Sequence, residues 1–313
     1  MSSRWHRWVA ATSATNDATS LALFRIAMGL GALLTVGSVV WAGLVPVIWV
    51  DAAHGGLRRL GSGGWLIRLL GGPTPGVVWS VVAGSLGSSL LLALGVGGRV
   101  GGRVVAAVCL LTTGALVNLN GHAGGSYDAL LTNGLWLCVL AGGSATLSVS
   151  AWRETGQWWP AVQVLAFPRW LAVFQLVVMY CMTGVQKVSA TWVPGGDASA
   201  LYYILQQPSW HHRDMSWLAW VFPLTQIGTT VTWFWEVSSP LWALALWWST
   251  RPHSRGPARW ANRVGLRWWY FGIGVLMHAT IWATMNVGPF SFLSLGFYTV
   301  MVHPEEWRRL LRG

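Results

Sequence analysis

The chain has 313 residues, 54% of them hydrophobic and only 9% charged, with a formal net charge of +11. A soluble domain carries roughly 25% charged residues, so these charges are too few to coat a water-facing surface, and disorder is excluded because disordered chains are polar and charge-rich. A soluble α/β enzyme and a nucleic-acid binder also fit poorly, since the basic residues stand between long apolar runs. The composition predicts an all-α polytopic membrane protein with its basic residues in loops.

About 20 apolar residues cross roughly 30 Å of hydrocarbon. A polar start with Arg4, Arg7, Asn16 and Asp17 gives way near Leu21 to an apolar run too long for a signal-peptide core, which predicts a retained first span over 26–50. Runs at 74–98, 104–120, 129–149 and 170–186 predict four more. A sixth lies within 217–248, interrupted by Pro223, Glu236 and Pro240. The stretch 268–304 lacks Asp, Glu, Arg and Lys and is too long for one helix; Gly288 and Pro289 divide it in two. The expected count is therefore eight. The tandem Gly-Gly-Arg-Val at 97–100 and 101–104 reads as a tight turn, and no strand precedes it to make a phosphate loop. Cys109, Cys138 and Cys181 each fall inside apolar runs, so no disulfide framework is expected. Residues 1–313 read as a single transmembrane domain with no sizeable soluble domain.

Arginine placement sets the orientation. With the N-terminus in the cytoplasm, 14 arginines lie inside and four (Arg58, Arg59, Arg68 and Arg213) lie outside, leaving aside Arg25 at the mouth of the first span. The reverse topology would violate the positive-inside rule, so both termini are expected in the cytoplasm. Tryptophans gather at run ends, among them Trp49, Trp152, Trp170, Trp217 and Trp268, where indoles favour the headgroup level. Two outer loops have substance: a glycine-rich one at 51–73, and one at 188–216 with aromatics, His211 and His212.

The sharpest chemical signal is Lys187, the one lysine beside 19 arginines, at the outer end of the fifth span. Burial makes a lysine a candidate base; the bland alternative is snorkelling to the headgroups. Tyr180, Gly184 and Lys187 share one helix face. Glu236 sits in the middle of the sixth span, in a stripe with Thr229 and Thr232, and is expected to pair structurally with Arg25 or to stay neutral and hydrogen-bonded. His278 is mid-span and heads a second stripe with Trp282 and Asn286; it reads as a proton relay or as a satisfied interhelix hydrogen bond. His122, after Asn120, reads first as a loop histidine. Lys187, His122 and Asn286 all approach the outer side in this topology, which suggests one outward-opening pocket. Adjacent His211 and His212 make a poor metal site, and no metal is expected.

At these residues the chain resembles the HTTM family of vitamin K-dependent carboxylase-like membrane proteins. Ser20, Leu21, Ala22, Phe24 and Arg25 match the family's opening pattern. Tyr180, Gly184, Lys187, Trp192 and Gly195 match its signature Tyr-x-x-x-Gly-x-x-Lys-(x)4-Trp-x-x-Gly. Glu236 before Pro240, His278, the stretch 288–297, the run His303 to Trp307, and Asn120 with His122 match further stretches. The resemblance implies a bacterial inner-membrane protein without the large luminal domain of the eukaryotic enzyme. It implies that Lys187 deprotonates a reduced quinone (vitamin K or menaquinone hydroquinone), that O2 adds, and that the alkoxide formed removes the γ-proton of a peptide glutamate. The carbanion then takes up CO2 and the quinone leaves as an epoxide. By the same resemblance His122 and His278 are catalytic, and Tyr180, Trp192, Asn120, Trp282 and Asn286 shape the quinone and substrate pocket. Partners would be the lipid bilayer and a secreted peptide or protein, with no nucleic acid. The competing reading is a non-catalytic binding or maturation protein; a transporter fits less well, since no inverted repeat is apparent.

Overall fold

The computed structural model describes residues 2–61, 64–251 and 255–312. Part of the glycine-rich segment expected as an outer loop (62–63) and part of the arginine-rich segment expected after the sixth span (252–254) lie outside the described residues. Helices dominate, and the chain clusters into two compact units: Met1–Leu171 with Gly288–Gly313, and Ala172–Val287.

In the first unit α1 (Ser2–Ser13) leads through a short strand, Thr15–Asp17, into α2 (Thr19–Trp41). The strand pairs antiparallel with Gln163–Leu165, a small exception to an all-α fold. Asp17 Oδ1 accepts the Thr19 N–H at 2.9 Å and starts α2, seven residues before the expected start of the first span. Arg25 therefore lies inside the helix and is 2% exposed, not at its mouth. After α2 come α3 (Val45–Trp49), α4 (Trp65–Leu69), α5 (Pro75–Leu94) and α6 (Gly98–Val117). Thr74 caps α5 through the Val77 N–H, with Pro75 in the first turn.

The Gly-Gly-Arg-Val repeat divides between two structures. Gly97 and Gly98 take φ of +104° and +64°, a left-handed turn that glycine makes without strain. The second copy lies within α6, so this turn is shorter than expected. Next is α7 (Ser126–Ala141), which stops eight residues before the expected end of the fourth span: Gly142 takes a left-handed φ of +58°, and a 3-10 turn, Gly143–Ala145, follows. A short α8 (Val149–Thr155) precedes α9 (Phe167–Gln186). The chain returns to this unit in α15 (Phe290–Tyr298) and α16 (Pro304–Arg312). Helices α2, α5, α6, α7 and α15 form the bundle.

The bundle core holds Phe24 edge-on to Phe297 at 4.9 Å, with Leu21, Met28, Leu131 and Leu135 fully buried. Ser85 and Thr113 hydrogen-bond at 2.8 Å between α5 and α6, polar glue of the kind used between apolar helices. A satellite cluster of Val36, Val45, Trp49, Ile67, Val78 and Leu116 packs beneath α3 and α4, so Trp49 is a core residue and not a headgroup anchor.

In the second unit, residues 172–186 of α9 accompany α10 (Ala200–Gln206), α11 (Phe222–Val237), α12 (Pro240–Ser249), α13 (Pro257–Arg263) and α14 (Leu266–Thr284). The apolar run 217–248 is not one helix: Ser238 and Ser239 interrupt it before Pro240, whose ring cannot continue α11. The run after 268 breaks at 285–289, around the expected Gly288 and Pro289.

Four helices, α2, α5, α6 and α9, are long and apolar enough to cross a membrane. Their outward faces are greasy: Leu30, Leu34, Leu90, Leu94, Val104, Leu111, Phe174 and Val178 are all at least 40% exposed. Soluble proteins rarely expose apolar patches of that extent.

Candidate functional site

The site in the second unit is built around the end of α9. Gly184 allows it. A Cβ there would stand 2.8 Å from Glu236 Cβ and 2.8 Å from the Val237 nitrogen, so only glycine lets α9 approach α11 this closely. Ser239 locks the approach by donating its hydroxyl to the Val177 carbonyl at 3.0 Å. The helix then ends, with the Lys187 N–H donating to the Gly184 carbonyl at 3.1 Å. Trp233 Nε1 donates to the Lys187 carbonyl at 3.3 Å and holds the chain as it leaves the helix.

This geometry turns the Lys187 side chain back onto Glu236, with Nζ to Oε2 at 2.5 Å. The Lys187 side chain is 19% exposed and that of Glu236 7%. Nζ also lies 4.2 Å from the centroid of the Trp192 ring, a cation–π position. Lys187 therefore does not snorkel outward; it is enclosed between a carboxylate and an indole. An ammonium has three N–H donors, and the described geometry uses one on Glu236.

Glu236 was expected to pair with Arg25 or to stay neutral and hydrogen-bonded; it meets Lys187 instead, and Arg25 is engaged elsewhere. Arg25 donates to the carbonyls of Ala93 at 2.7 Å, Leu147 at 2.6 Å and Gly143 at 3.2 Å, and to that of Leu92. Those of Leu92 and Ala93 belong to the last turn of α5, where helix carbonyls lack partners and a cation is favoured. The Thr229–Thr232–Glu236 stripe also resolves differently: the Thr229 hydroxyl accepts from the Leu201 N–H at 3.1 Å and donates to the Thr225 carbonyl, tying α10 to α11.

Beside the ion pair lies an aromatic layer. Tyr180 OH and His278 Nε2 are 2.6 Å apart, so Tyr180 and His278 meet as an interhelix hydrogen bond between α9 and α14. Tyr180 stands edge-on to Trp235 at 4.6 Å. Trp235 Nε1 donates to the Tyr270 carbonyl at 3.0 Å, and the Tyr270 hydroxyl reaches Ser238 Oγ at 2.7 Å. Trp242 stacks on Tyr270, the planes 14° apart. Sequence reasoning overlooked Trp233, Trp235, Ser238 and Ser239; the signal available was the aromatic run directly before Glu236.

The stripe of His278, Trp282 and Asn286 does not hold as one lining. His278 is fully buried while Trp282 is 70% exposed, and α14 ends at Thr284. Asn286 serves through its backbone: its N–H donates to the Trp210 carbonyl at 2.5 Å, as His212 N–H donates to Thr284. This clips the His211–His212 loop to the end of α14. In the first unit, Asn120 donates Nδ2 to the Ile48 carbonyl at 3.0 Å and accepts the His122 N–H at 3.1 Å, which makes it a loop clamp. The His122 side chain is exposed. Among the described residues no group of three or more His, Cys, Asp or Glu side chains could hold a metal ion.

Fold and site define a predominantly helical protein with four helices able to cross a membrane and one enclosed lysine–glutamate pair. No family model, no curated protein and no solved structure matches the chain.

Proposed function

We propose that the chain is an eight-span inner-membrane protein of the HTTM type, with both termini cytoplasmic, and that Lys187 is the base of a reaction on a reduced quinone. The 14 to 4 arginine split supports the topology. The observation that carries the chemistry is the Lys187–Glu236 pair beneath the Trp192 ring, at 2.5 and 4.2 Å. In the ion pair Lys187 is protonated; passing that proton to Glu236 leaves a free amine beside a neutral carboxyl, and the amine can then accept a hydroxyl proton. The ammonium so formed faces the oxyanion it has made, so the site as a whole carries no net charge in the bilayer, where net charge is costly. Trp192 offers a flat apolar face to an aromatic ring, and the remaining N–H directions of Nζ can address a ring oxygen. A bound hydroquinone would supply the reducing electrons for O2, with oxygenation to the epoxide driving carboxylation of a secreted peptide's glutamate by CO2. Tyr180 packs on Trp235, the residue before Glu236, and joins α9 to α14 through His278.

The test is anaerobic incubation of the purified protein with reduced vitamin K or menaquinone, admission of O2, and mass spectrometry for the epoxide. Wild type should turn over. Lys187→Arg should fold yet be inactive, because guanidinium keeps the charge but does not deprotonate in proteins. Wild-type turnover in Lys187→Arg eliminates the base assignment. A well-folded wild type inert toward every quinone favours the non-catalytic maturation reading.

A further inference from the structure

Described residues of the glycine-rich segment between α2 and α5 line a concavity in the first unit. Its volume is about 280 Å³, and Asp51, His54, Arg59 and Thr74 line it along with backbone at Gly61 and Gly71 to Pro73. The segment is pinned into shape from one residue. The Asp51 N–H donates to the Pro73 carbonyl at 3.0 Å, closing the ends of the loop. The Asp51 carboxylate accepts the Ala53 N–H at 2.8 Å and the Leu60 N–H at 2.6 Å. The Ala52 N–H donates to the Arg58 carbonyl at 2.8 Å. Both carboxylate oxygens thus serve the loop itself.

The cations are not used in that way. No hydrogen bond or ion pair holds the side chains of His54 or Arg59 among the described residues, and both are exposed. Asp51 is the only acid between Asp17 and Asp128, against Arg58, Arg59 and Arg68 in the same segment, so the concavity is electropositive. The segment carries three of the four arginines that the proposed topology leaves on the outer side, and of these Arg59 lines the concavity. A basin with a guanidinium and an imidazole at its wall, and with both oxygens of its one carboxylate taken up by backbone N–H groups, is suited to an oxyanion.

We infer that this basin binds a phosphate-class oxyanion, with Arg59 and His54 as the recognising side chains. Two sources carry that chemistry: the headgroup of an anionic phospholipid and free inorganic phosphate. The site is independent of the lysine chemistry and stands or falls apart from it.

The test is thermal unfolding of the full chain in neutral detergent, titrated separately with inorganic phosphate and with short-chain phosphatidylglycerol; a ligand that binds only the folded state raises Tm. Short-chain phosphatidylglycerol should raise Tm, and should do so at lower concentration than phosphate if the headgroup is the ligand; the reverse order assigns the site to the free anion. Arg59→Gln should shift either titration about tenfold to higher concentration, and His54→Gln should shift it less. Arg58→Gln, which removes the same charge from the same segment outside the basin, should leave it in place. Equal shifts for Arg58→Gln and Arg59→Gln would reduce the effect to diffuse electrostatics and overturn the site. So would an Arg59→Gln titration matching wild type, or no response of wild type to either probe.

Discussion

The two units handle buried cations in opposite ways. In the first, Arg25 and Arg169 are each 2% exposed and both are spent on backbone. Arg25 takes four carbonyls, while Arg169 donates to the Val300 and Val302 carbonyls and meets His303 Nδ1 at 3.4 Å. In the second, Lys187 meets a carboxylate and an indole face. A guanidinium has five fixed donors and holds its proton; surrounded by carbonyls, it is a strut. An amine can lose a proton, and a neighbouring carboxylate makes the protonated state affordable in an apolar setting. The same formal charge therefore builds architecture in one unit and a candidate proton acceptor in the other.

The comparison breaks most visibly at Arg25. Arg25→Ala strands several carbonyls at the end of α5 and in 143–147, each costing about 1–3 kcal/mol when buried and unsatisfied, so the variant should fail to give a monodisperse detergent size-exclusion peak. Arg25→Lys should rescue it only in part, because three donors cannot replace five. If Arg25→Ala has the wild-type profile, the carbonyl strut carries no weight.

Next in size is Glu236. Glu236→Leu leaves Lys187 without its partner and should cost about 3 kcal/mol, the scale for breaking an enclosed pair from one side. Glu236→Gln keeps an acceptor and should cost less. Equal Tm values for wild type and Glu236→Leu in detergent would mean that the pair contributes nothing to the fold. Tyr180→Phe is a smaller change: it removes the hydrogen bond to His278 while keeping the ring against Trp235, and about 1 kcal/mol is expected by thermal unfolding.

The smallest effect concerns Asp51, outside the spans. The N–H groups of Ala53 and Leu60, and then nearby His54 and Arg59, hold its carboxyl below the ordinary 3.8. A carboxyl depressed in the folded state stabilises above its unfolded value and loses that contribution as the pH falls through the folded one. Acid should therefore loosen the 51–73 segment in wild type, and Asp51→Asn should remove that part of the pH dependence in amide exchange. An Asp51→Asn exchange profile that keeps the full acid response would assign it to another group.

Much of the helical plan was legible in the sequence, because long uncharged runs leave a chain little alternative to helices and Gly288 with Pro289 divides the last run; the break before Pro240 was not, since 217–248 reads as one span. Boundaries were less legible. Arg25 looked like the end of a span because charge is penalised in lipid, but carbonyls at the end of α5 let the helix run through it. Similarly, glycine pairs looked alike at 97–98 and 101–102, although only the first pair turns the chain.

The sequence alone determined the low charge density, the excess of arginine over lysine, the apolar segments and the singularity of Lys187, all of which are properties of one strand of residues. Only the tertiary structure decided the partner of Lys187. Periodicity says which residues share a face of one helix, but not which face of another helix it meets. That choice depended on Gly184, whose missing Cβ lets α9 and α11 close to contact, and on the break at Ser238 and Ser239 that places Glu236 in the last turn of α11. It brings together a lysine and a glutamate 49 positions apart, because an apolar interior leaves each of the two charges few other places to be satisfied.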